Sequence, residues 1–245
     1  MVSAYLRRGM AAGLLAGLLA GLFAFFVGEP VLDRAIALEE SAHARAHEGG
    51  GHSHGVGDEQ TFSRSTQKVG LFFATGLFGV TVGGVFGIVY AFFRERLAPG
   101  NDLGRSISLA GAIFVGAFLI PFLKYPANPP AIGDPSTIRE RTTAYFTLVA
   151  LSLLAMLLAW LATRSLKAHG MDAPRRRLTA SAGLVVVCGV LFLALPAGPS
   201  TAGFPFGVLW AFRFSSFGTQ LVFWAGLGLL FGVLCERAGR KGVTA

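Results

Sequence analysis

Long apolar runs separated by short polar segments dominate the chain and determine its predicted architecture. Six of these runs are long enough to cross about 30 Å of hydrocarbon as helices. They cover residues 10–27, 71–93, 107–123, 144–163, 178–195 and 219–235, and none contains Asp, Glu, Lys, Arg or His. Because a helix satisfies its own backbone hydrogen bonds in lipid, the pattern predicts an all-α integral membrane protein with a single transmembrane domain over residues 1–245.

Glycines recur at every fourth position in the first two runs. They are Gly9 directly before the first run, Gly13, Gly17 and Gly21 within it, and Gly79, Gly83 and Gly87 in the second run. A helix face made of small residues lets another backbone approach closely. We therefore expect the first two helices to pack against each other or against a second copy of the chain, in a homo-oligomer.

Three longer segments join the runs. Residues 29–68 form an acidic and histidine-rich loop, residues 124–143 a proline-rich loop, and residues 196–218 an apolar, aromatic segment that we predict to be interfacial or re-entrant. Pro30 suits the first turn of a new helix, which we expect to end at the glycines of positions 49–51. In the proline-rich loop, helix should resume near Ser136, a favourable N-cap residue.

The distribution of basic residues predicts the orientation. Of the 21 Lys and Arg residues, thirteen lie on the side of the membrane that holds both termini. Both termini should therefore be cytoplasmic, and the three longer loops should face outward. The net charge of +8 is accounted for by basic loops against anionic lipid, so we expect the bilayer and not a nucleic acid as its partner.

Several enzyme classes are excluded by missing motifs. The chain has no G-K-[ST] phosphate loop, no H-E-x-x-H and no G-x-S-x-G. We expect no catalytic residues, no cofactor-binding residues and no prosthetic group. Cys188 and Cys235 lie within predicted spans, where a thiol is usually a small apolar filler, and they indicate no disulfide framework.

Four of the five histidines lie close together in the first long loop. They are His43, His47, His52 and His54, and the acidic residues Glu39 and Glu40 precede them. Imidazoles one helical turn apart can share a metal ion, and a nearby carboxylate can add an oxygen ligand. Nitrogen and oxygen ligands without thiolate favour borderline divalent ions such as cobalt, nickel, zinc or copper. The alternative is a solvated polar linker, and the lone His169 is interpreted as structural or exposed.

A path across the membrane is harder to identify. Ion paths usually contain intramembrane carboxylates or histidines, and the predicted spans have none. The remaining candidates are backbone carbonyls, ligands from a partner, and two sets of polar side chains. These are the hydroxyls of Thr75, Thr81, Ser108 and Ser152, and the rim residues Glu29, Asp33 and Asn128.

Two stretches carry a family resemblance. "GEPVLDRAIALEE" at 28–40 and "KYPANPPAIGDPSTIRERTTAYF" at 124–146 resemble signature segments of the CbtA family, the proposed cobalt transporter subunit of bacteria, and the resemblance extends over essentially the whole chain. It implies a multi-pass protein of the bacterial inner membrane that takes up cobalt(II) for cobalamin synthesis beside a small single-span, histidine-bearing partner, CbtB. Members are usually described with five spans, so five is the alternative to the six counted above.

Our leading hypothesis is a cobalt uptake subunit whose outer histidines and glutamates capture the ion, with nickel or zinc as other possible substrates. One alternative is a metal-binding accessory or sensory membrane protein that does not conduct ions. Another is a membrane scaffold in which the histidine tract is incidental.

Overall fold

This computed structural model describes residues 2–48, 64–97, 100–130 and 132–243, and most of these residues are helical. No strand occurs in these ranges. The α-helices are α1 (Val2–Phe23), α2 (Glu29–Glu48), α3 (Arg64–Phe93), α4 (Asp102–Phe114), α5 (Ile120–Lys124), α6 (Ile138–Ala168), α7 (Ala173–Ala194) and α8 (Phe206–Val243). Six helical stretches within the described residues are long and apolar enough to span a membrane: Val2–Ser41, Thr66–Phe93, Asp102–Lys124, Pro135–Ala168, Ala173–Ala194 and Phe206–Arg240. The all-α membrane class and the count of six are confirmed.

Two of the spans contain a π-helical turn next to a proline. Ala24–Gly28 joins α1 to α2 just before Pro30, and Val115–Leu119 joins α4 to α5 just before Pro121. A proline lacks an N–H and clashes with the carbonyl four residues earlier, and the wider turn makes room for it. Contrary to the prediction from the sequence, Pro30 therefore does not begin a separate helix. Helices α1 and α2 form one continuous helix, and the first twenty residues of the 29–68 segment are helical.

The chain divides into two compact units. Unit 1 contains Met1–Gly111, Asn128–Ala131 and Phe204–Ala245. Within it, α1 packs along α3 through the two glycine faces. A methyl group on Gly13 would lie 2.8 Å from the Cα of Gly83, and one on Gly17 would lie 3.2 Å from the Cα of Gly79. These separations are shorter than ordinary carbon contacts. The predicted packing of the first two helices is confirmed as a contact within one chain.

Helix α8 completes the core of unit 1 against α1 and α4. Its side chains Leu227 and Phe231 are fully buried with Phe86 and Tyr90 of α3. Ser106 of α4 is also fully buried, and its hydroxyl donates a 2.7 Å hydrogen bond to the Gly228 carbonyl of α8. Interhelical hydroxyl bonds of this kind stabilise helix packing where water is absent.

Unit 2 contains Ala112–Ala127 and Ile132–Gly203. Helices α6 and α7 pack together in it, and the buried Ser152 hydroxyl of α6 donates to the Gly116 carbonyl within the second π-helical turn. At the end of α5, the Tyr125 hydroxyl donates a 2.6 Å hydrogen bond to the Pro196 carbonyl. Burial raises the pKa of the Tyr125 hydroxyl above its ordinary value.

The start of α6 differs from the prediction. Ser136 is not the N-cap, because the Asp134 carboxylate accepts the Ser136 N–H at 2.8 Å and caps a short 3₁₀ turn, Pro135–Thr137, that precedes the helix. The Ser136 hydrogen bonds lower the pKa of the Asp134 carboxyl. Gly133 before it has a φ of +97°, and Arg141 lies against it, donating to the Asp134 carbonyl at 3.1 Å. The 196–218 segment consists of an irregular stretch followed by the first turns of α8, which begins at Phe206.

Candidate functional site

Helix α2 carries most of the predicted metal-binding positions on one face. In a regular helix, residues 29, 33, 40, 43 and 47 fall within roughly 80° of one another, and Glu39 lies at the edge of that stripe. Because α2 is helical from Glu29 to Glu48, the stripe runs about 27 Å along its axis. Donor groups are therefore spaced along a single helix that continues directly from the first membrane span.

The start of this stripe is engaged by basic side chains from α3. We call Glu29, Asp33, Arg64 and Lys68 the charge cluster. Arg64 Nη2 lies 2.9 Å from Glu29 Oε2 and also hydrogen-bonds Asp33, while Lys68 Nζ lies 3.0 Å from the second Asp33 oxygen. Both predicted carboxylates at the membrane entrance are thus neutralised by two cations.

The two carboxylates differ in their access to solvent. The Glu29 side chain is 12% exposed and that of Asp33 is 44% exposed. Ion pairs at exposed positions stabilise a fold by only about 0.2–1 kcal/mol, because water and salt screen them. Asp33 is therefore the carboxylate of the charge cluster that is more accessible to solvent, although it bonds both Arg64 and Lys68.

Asn128, the third entrance candidate, is also paired with a basic residue. Its side-chain oxygen accepts a 2.9 Å hydrogen bond from Arg213 of α8. The Arg213 guanidinium carbon lies 5.2 Å from the centre of the Trp210 ring, and its Nε is buried with no hydrogen-bond partner among the described residues. The Arg213 guanidinium therefore lies over the Trp210 ring and donates to the Asn128 amide oxygen.

The charge cluster and the Asn128–Arg213 pair lie at one end of unit 1. The π-helical turn before Glu29 packs against α8, and a methyl group on Gly28 would lie 4.0 Å from the hydroxyl of Ser215, which is two residues beyond Arg213. The starts of α2, α3 and α8 therefore lie at the same end of the unit.

The remaining predicted ligands are less fully defined. Glu39 is partly exposed and Glu40 exposed on α2, and His43 and His47 lie on its last turns. The side chains of His43 and His47, and the whole of His52 and His54, lie outside what the structure describes. Among the described residues, no three His, Cys, Asp or Glu side chains come together in a metal-binding group. His169 is exposed, and its ring nitrogen lies 2.8 Å from the Ser165 carbonyl of its own helix end.

The candidate hydroxyls mostly bond to their own helices. Thr75 donates to the Leu71 carbonyl at 2.9 Å and Thr81 to the Leu77 carbonyl at 3.0 Å. Ser108 is exposed, and Ser152 is used in the packing of unit 2. The Thr75 and Thr81 hydroxyls are thus occupied by backbone carbonyls one turn earlier in the same helix, a common geometry for Thr side chains in helices.

Sequence reasoning missed the basic partners of the entrance residues. Arg64 and Lys68 are four residues apart, as are Glu29 and Asp33. Opposite charges at matching spacing on consecutive helices are a readable signal for pairing. The partnership of Asn128 with Arg213 has no comparable signal, because it joins residues 85 positions apart from a loop and a helix.

Comparison with known proteins gives one family. Residues 2–236 match the family model described as "Probable cobalt transporter subunit (CbtA)". No curated protein and no solved structure matches the chain. The description names a subunit, which implies a partner, and the six apolar helices indicate a multi-pass membrane protein. With nearly its whole length covered by that model, the chain belongs to the CbtA family of cobalt transporter subunits.

Proposed function

We propose that this chain is the membrane subunit of a cobalt(II) uptake system and that its α2 stripe captures the ion outside the cell. The continuous α1–α2 helix carries the proposal, because it connects the Glu39, Glu40, His43 and His47 positions directly to Glu29 and Asp33 at the membrane. His52 and His54 follow in sequence and complete the proposed capture set. Nitrogen and oxygen donors suit cobalt(II), and nickel or zinc would compete for them.

In this proposal the charge cluster acts as the entrance gate. Arg64 and Lys68 occupy the carboxylate oxygens of Asp33 when no metal is near. A divalent ion carries twice the charge of either side chain, so it competes with them at the more exposed Asp33. Displacement of the two cations would open the entrance beside the Asn128 loop, where Arg213 holds the amide.

The driving force needs no nucleotide hydrolysis by this chain. A divalent ion that moves inward through about 100 mV gains roughly 4.6 kcal/mol, enough for more than a hundredfold accumulation. Ligands inside the membrane are still required, and the predicted apolar runs offer no charged group. We propose that the CbtB-like partner, a small single-span protein with histidines, supplies them.

Uptake of radioactive cobalt by bacteria that produce the chain with its partner tests capture. Changing His43, His47, His52 and His54 together to Ala should reduce uptake at low cobalt several-fold, with the amount of protein in the membrane unchanged. His169→Ala is the matched control and should transport normally. Because ligand imidazoles must be neutral, cobalt binding by the purified chain should also weaken below about pH 6.5. Full uptake in the fourfold variant would leave the tract without a role in transport.

A neutral-pair variant tests the gate. Asp33→Asn with Lys68→Gln removes one charge of each sign and should lower uptake strongly if the Asp33 carboxylate receives the ion. The control is Asp172→Asn with Arg175→Gln, which removes an exposed ion pair of 3.5 Å elsewhere. Equal uptake in the two double variants would show that the charge cluster is only structural.

Because basic side chains occupy the entrance residues, a second function that does not need ion conduction is also tested. A metal-binding accessory or sensory protein would capture ions without conducting them, and it would need no open entrance. Cells that produce the chain alone, and then with its partner, separate the two functions. Intact metal binding without cobalt uptake in either strain would support the accessory protein.

A further inference from the structure

A second polar cluster lies in unit 1 where α1 begins and α3 ends. Tyr5 of α1 stacks near Tyr90 of α3, with ring centres 5.7 Å apart. Two arginines lie against the same Tyr5 ring. The guanidinium carbon of Arg8 is 5.5 Å from the ring centre and that of Arg94 is 5.4 Å from it. Both guanidinium groups therefore lie against the same aromatic ring.

The neighbouring acidic side chains have other partners. The Asp102 carboxylate accepts a 2.7 Å hydrogen bond from the buried Tyr90 hydroxyl. Glu236 accepts the Leu103 N–H at 3.3 Å and lies 4.0 Å from Arg240. Within the described residues, neither Arg8 nor Arg94 forms an ion pair. Neither guanidinium group thus has a carboxylate within ion-pair distance among the described residues.

Arg94 also has an unused donor. Its Nε is buried and has no hydrogen-bond partner in the described part of the chain, and Arg8 lies beside the buried Cys235 thiol. Leaving a buried charged donor unsatisfied costs more than the cation–π contact of about 0.5–1 kcal/mol returns. An anion bound by Arg8 and Arg94 beside this ring would neutralise both charges and offer the unpaired Arg94 donor an acceptor.

We infer that Arg8 and Arg94, held by Tyr5, form a binding site for a phosphate group. The guanidinium fork matches phosphate oxygens with parallel hydrogen bonds. Both arginines lie near helix ends, beside two tyrosines, which is the level at which lipid headgroups lie. The phosphate belongs either to an anionic phospholipid or to a soluble phosphate compound, and both present the same oxygens.

Thermal unfolding of the purified full chain in a neutral detergent distinguishes the sources. One titration adds phosphatidylglycerol, another adds inorganic phosphate, and a third adds sodium chloride at equal ionic strength. We expect stabilisation by phosphatidylglycerol or by phosphate beyond that by chloride. A response to the lipid alone assigns the site to a headgroup, and a response to inorganic phosphate assigns it to a soluble ligand.

Three variants complete the test. Arg94→Gln should raise the ligand concentration that gives half of the full thermal stabilisation about tenfold or more, as expected for a lost charge-assisted contact. Arg94→Lys keeps the charge but loses the fork, and it should lie between Arg94→Gln and the unchanged chain. Arg96→Gln removes the same charge from an exposed neighbour that bonds the Phe92 carbonyl, and it should respond fully. Equal responses of Arg94→Gln and Arg96→Gln, or no response to either phosphate source, would overturn the inference.

Discussion

The close contact of α1 with α3 predicts that Gly83→Ala destabilises the chain. A methyl group at Gly83 would overlap the Gly9 carbonyl and lie 2.7 Å from the Cα of Gly13. Ordinary carbon contacts are about 3.5–4.0 Å, so the two helices must move apart by about 1 Å. Lipid is as apolar as the side chains, so close van der Waals contact is a main force holding membrane helices together.

The expected size of the effect follows from that displacement. Overpacking by one methyl group costs about 1–3 kcal/mol, and replacing glycine by alanine within a helix returns up to about 1 kcal/mol. With the full gain from alanine, the net loss is up to about 2 kcal/mol. At about 2–4 °C per kcal/mol for a chain of this size, the unfolding temperature should fall by up to roughly 8 °C.

Thermal unfolding in detergent measures this shift, and the same helix provides the control. A methyl group at Gly76 would meet the Leu14 Cδ1 at 3.5 Å and the Leu18 Cδ2 at 3.6 Å, which are ordinary contacts. Gly76→Ala should keep or slightly raise the unfolding temperature. If Gly83→Ala proved as stable as Gly76→Ala, close backbone packing would not be what holds α1 against α3.

Three further predictions concern other parts of the structure. Ser106→Ala should cost about 1 kcal/mol by losing a buried interhelical hydrogen bond, whereas Ser108→Ala, at an exposed position on the same helix, should leave the unfolding temperature unchanged. Gly133→Ala should destabilise more than Gly203→Ala, since both have positive φ but only Gly133 lies against another side chain, and thermal unfolding compares them. The lowered pKa of Asp134 stabilises the folded state above about pH 4, and this contribution is lost as the pH falls through the lowered value. A pH series of unfolding temperatures should show a smaller loss in Asp134→Asn than in the unchanged chain, because the paired Asp33 contributes its own loss in both.

Much of the fold follows from local patterns in the sequence. The six apolar runs define the spans because length and hydropathy alone decide which segments lipid can hold. The spacing of Gly13 and Gly17 predicts a close helix contact because every fourth residue shares a face. These are properties of short segments, so no knowledge of distant partners is needed.

The missed features depend on tertiary contacts. The π-helical turn before Pro30 has no unique local signature, because a proline can equally begin a new helix after a loop. The charge cluster needs two helices to be placed side by side before Glu29 can meet Arg64. Stacking of Arg8 and Arg94 on one Tyr5 ring likewise requires the ends of α1 and α3 to meet, which the glycine contact brings about.

The π-helical turn also corrects the phase of the long first helix. In an uninterrupted α-helix, Asp33 would be rotated roughly 120° away from Gly21, because twelve residues exceed three full turns by that angle. The wide turn accommodates about one extra residue without its usual rotation of about 100°, so Asp33 returns to within roughly 20° of the glycine face. That is the face which α3 covers, and Asp33 there meets Lys68. Deleting one residue from 24–28 should therefore restore a regular α-helix and keep Asp33 on the face that α3 covers, whereas straightening the turn without a deletion would rotate the capture helix away from α3.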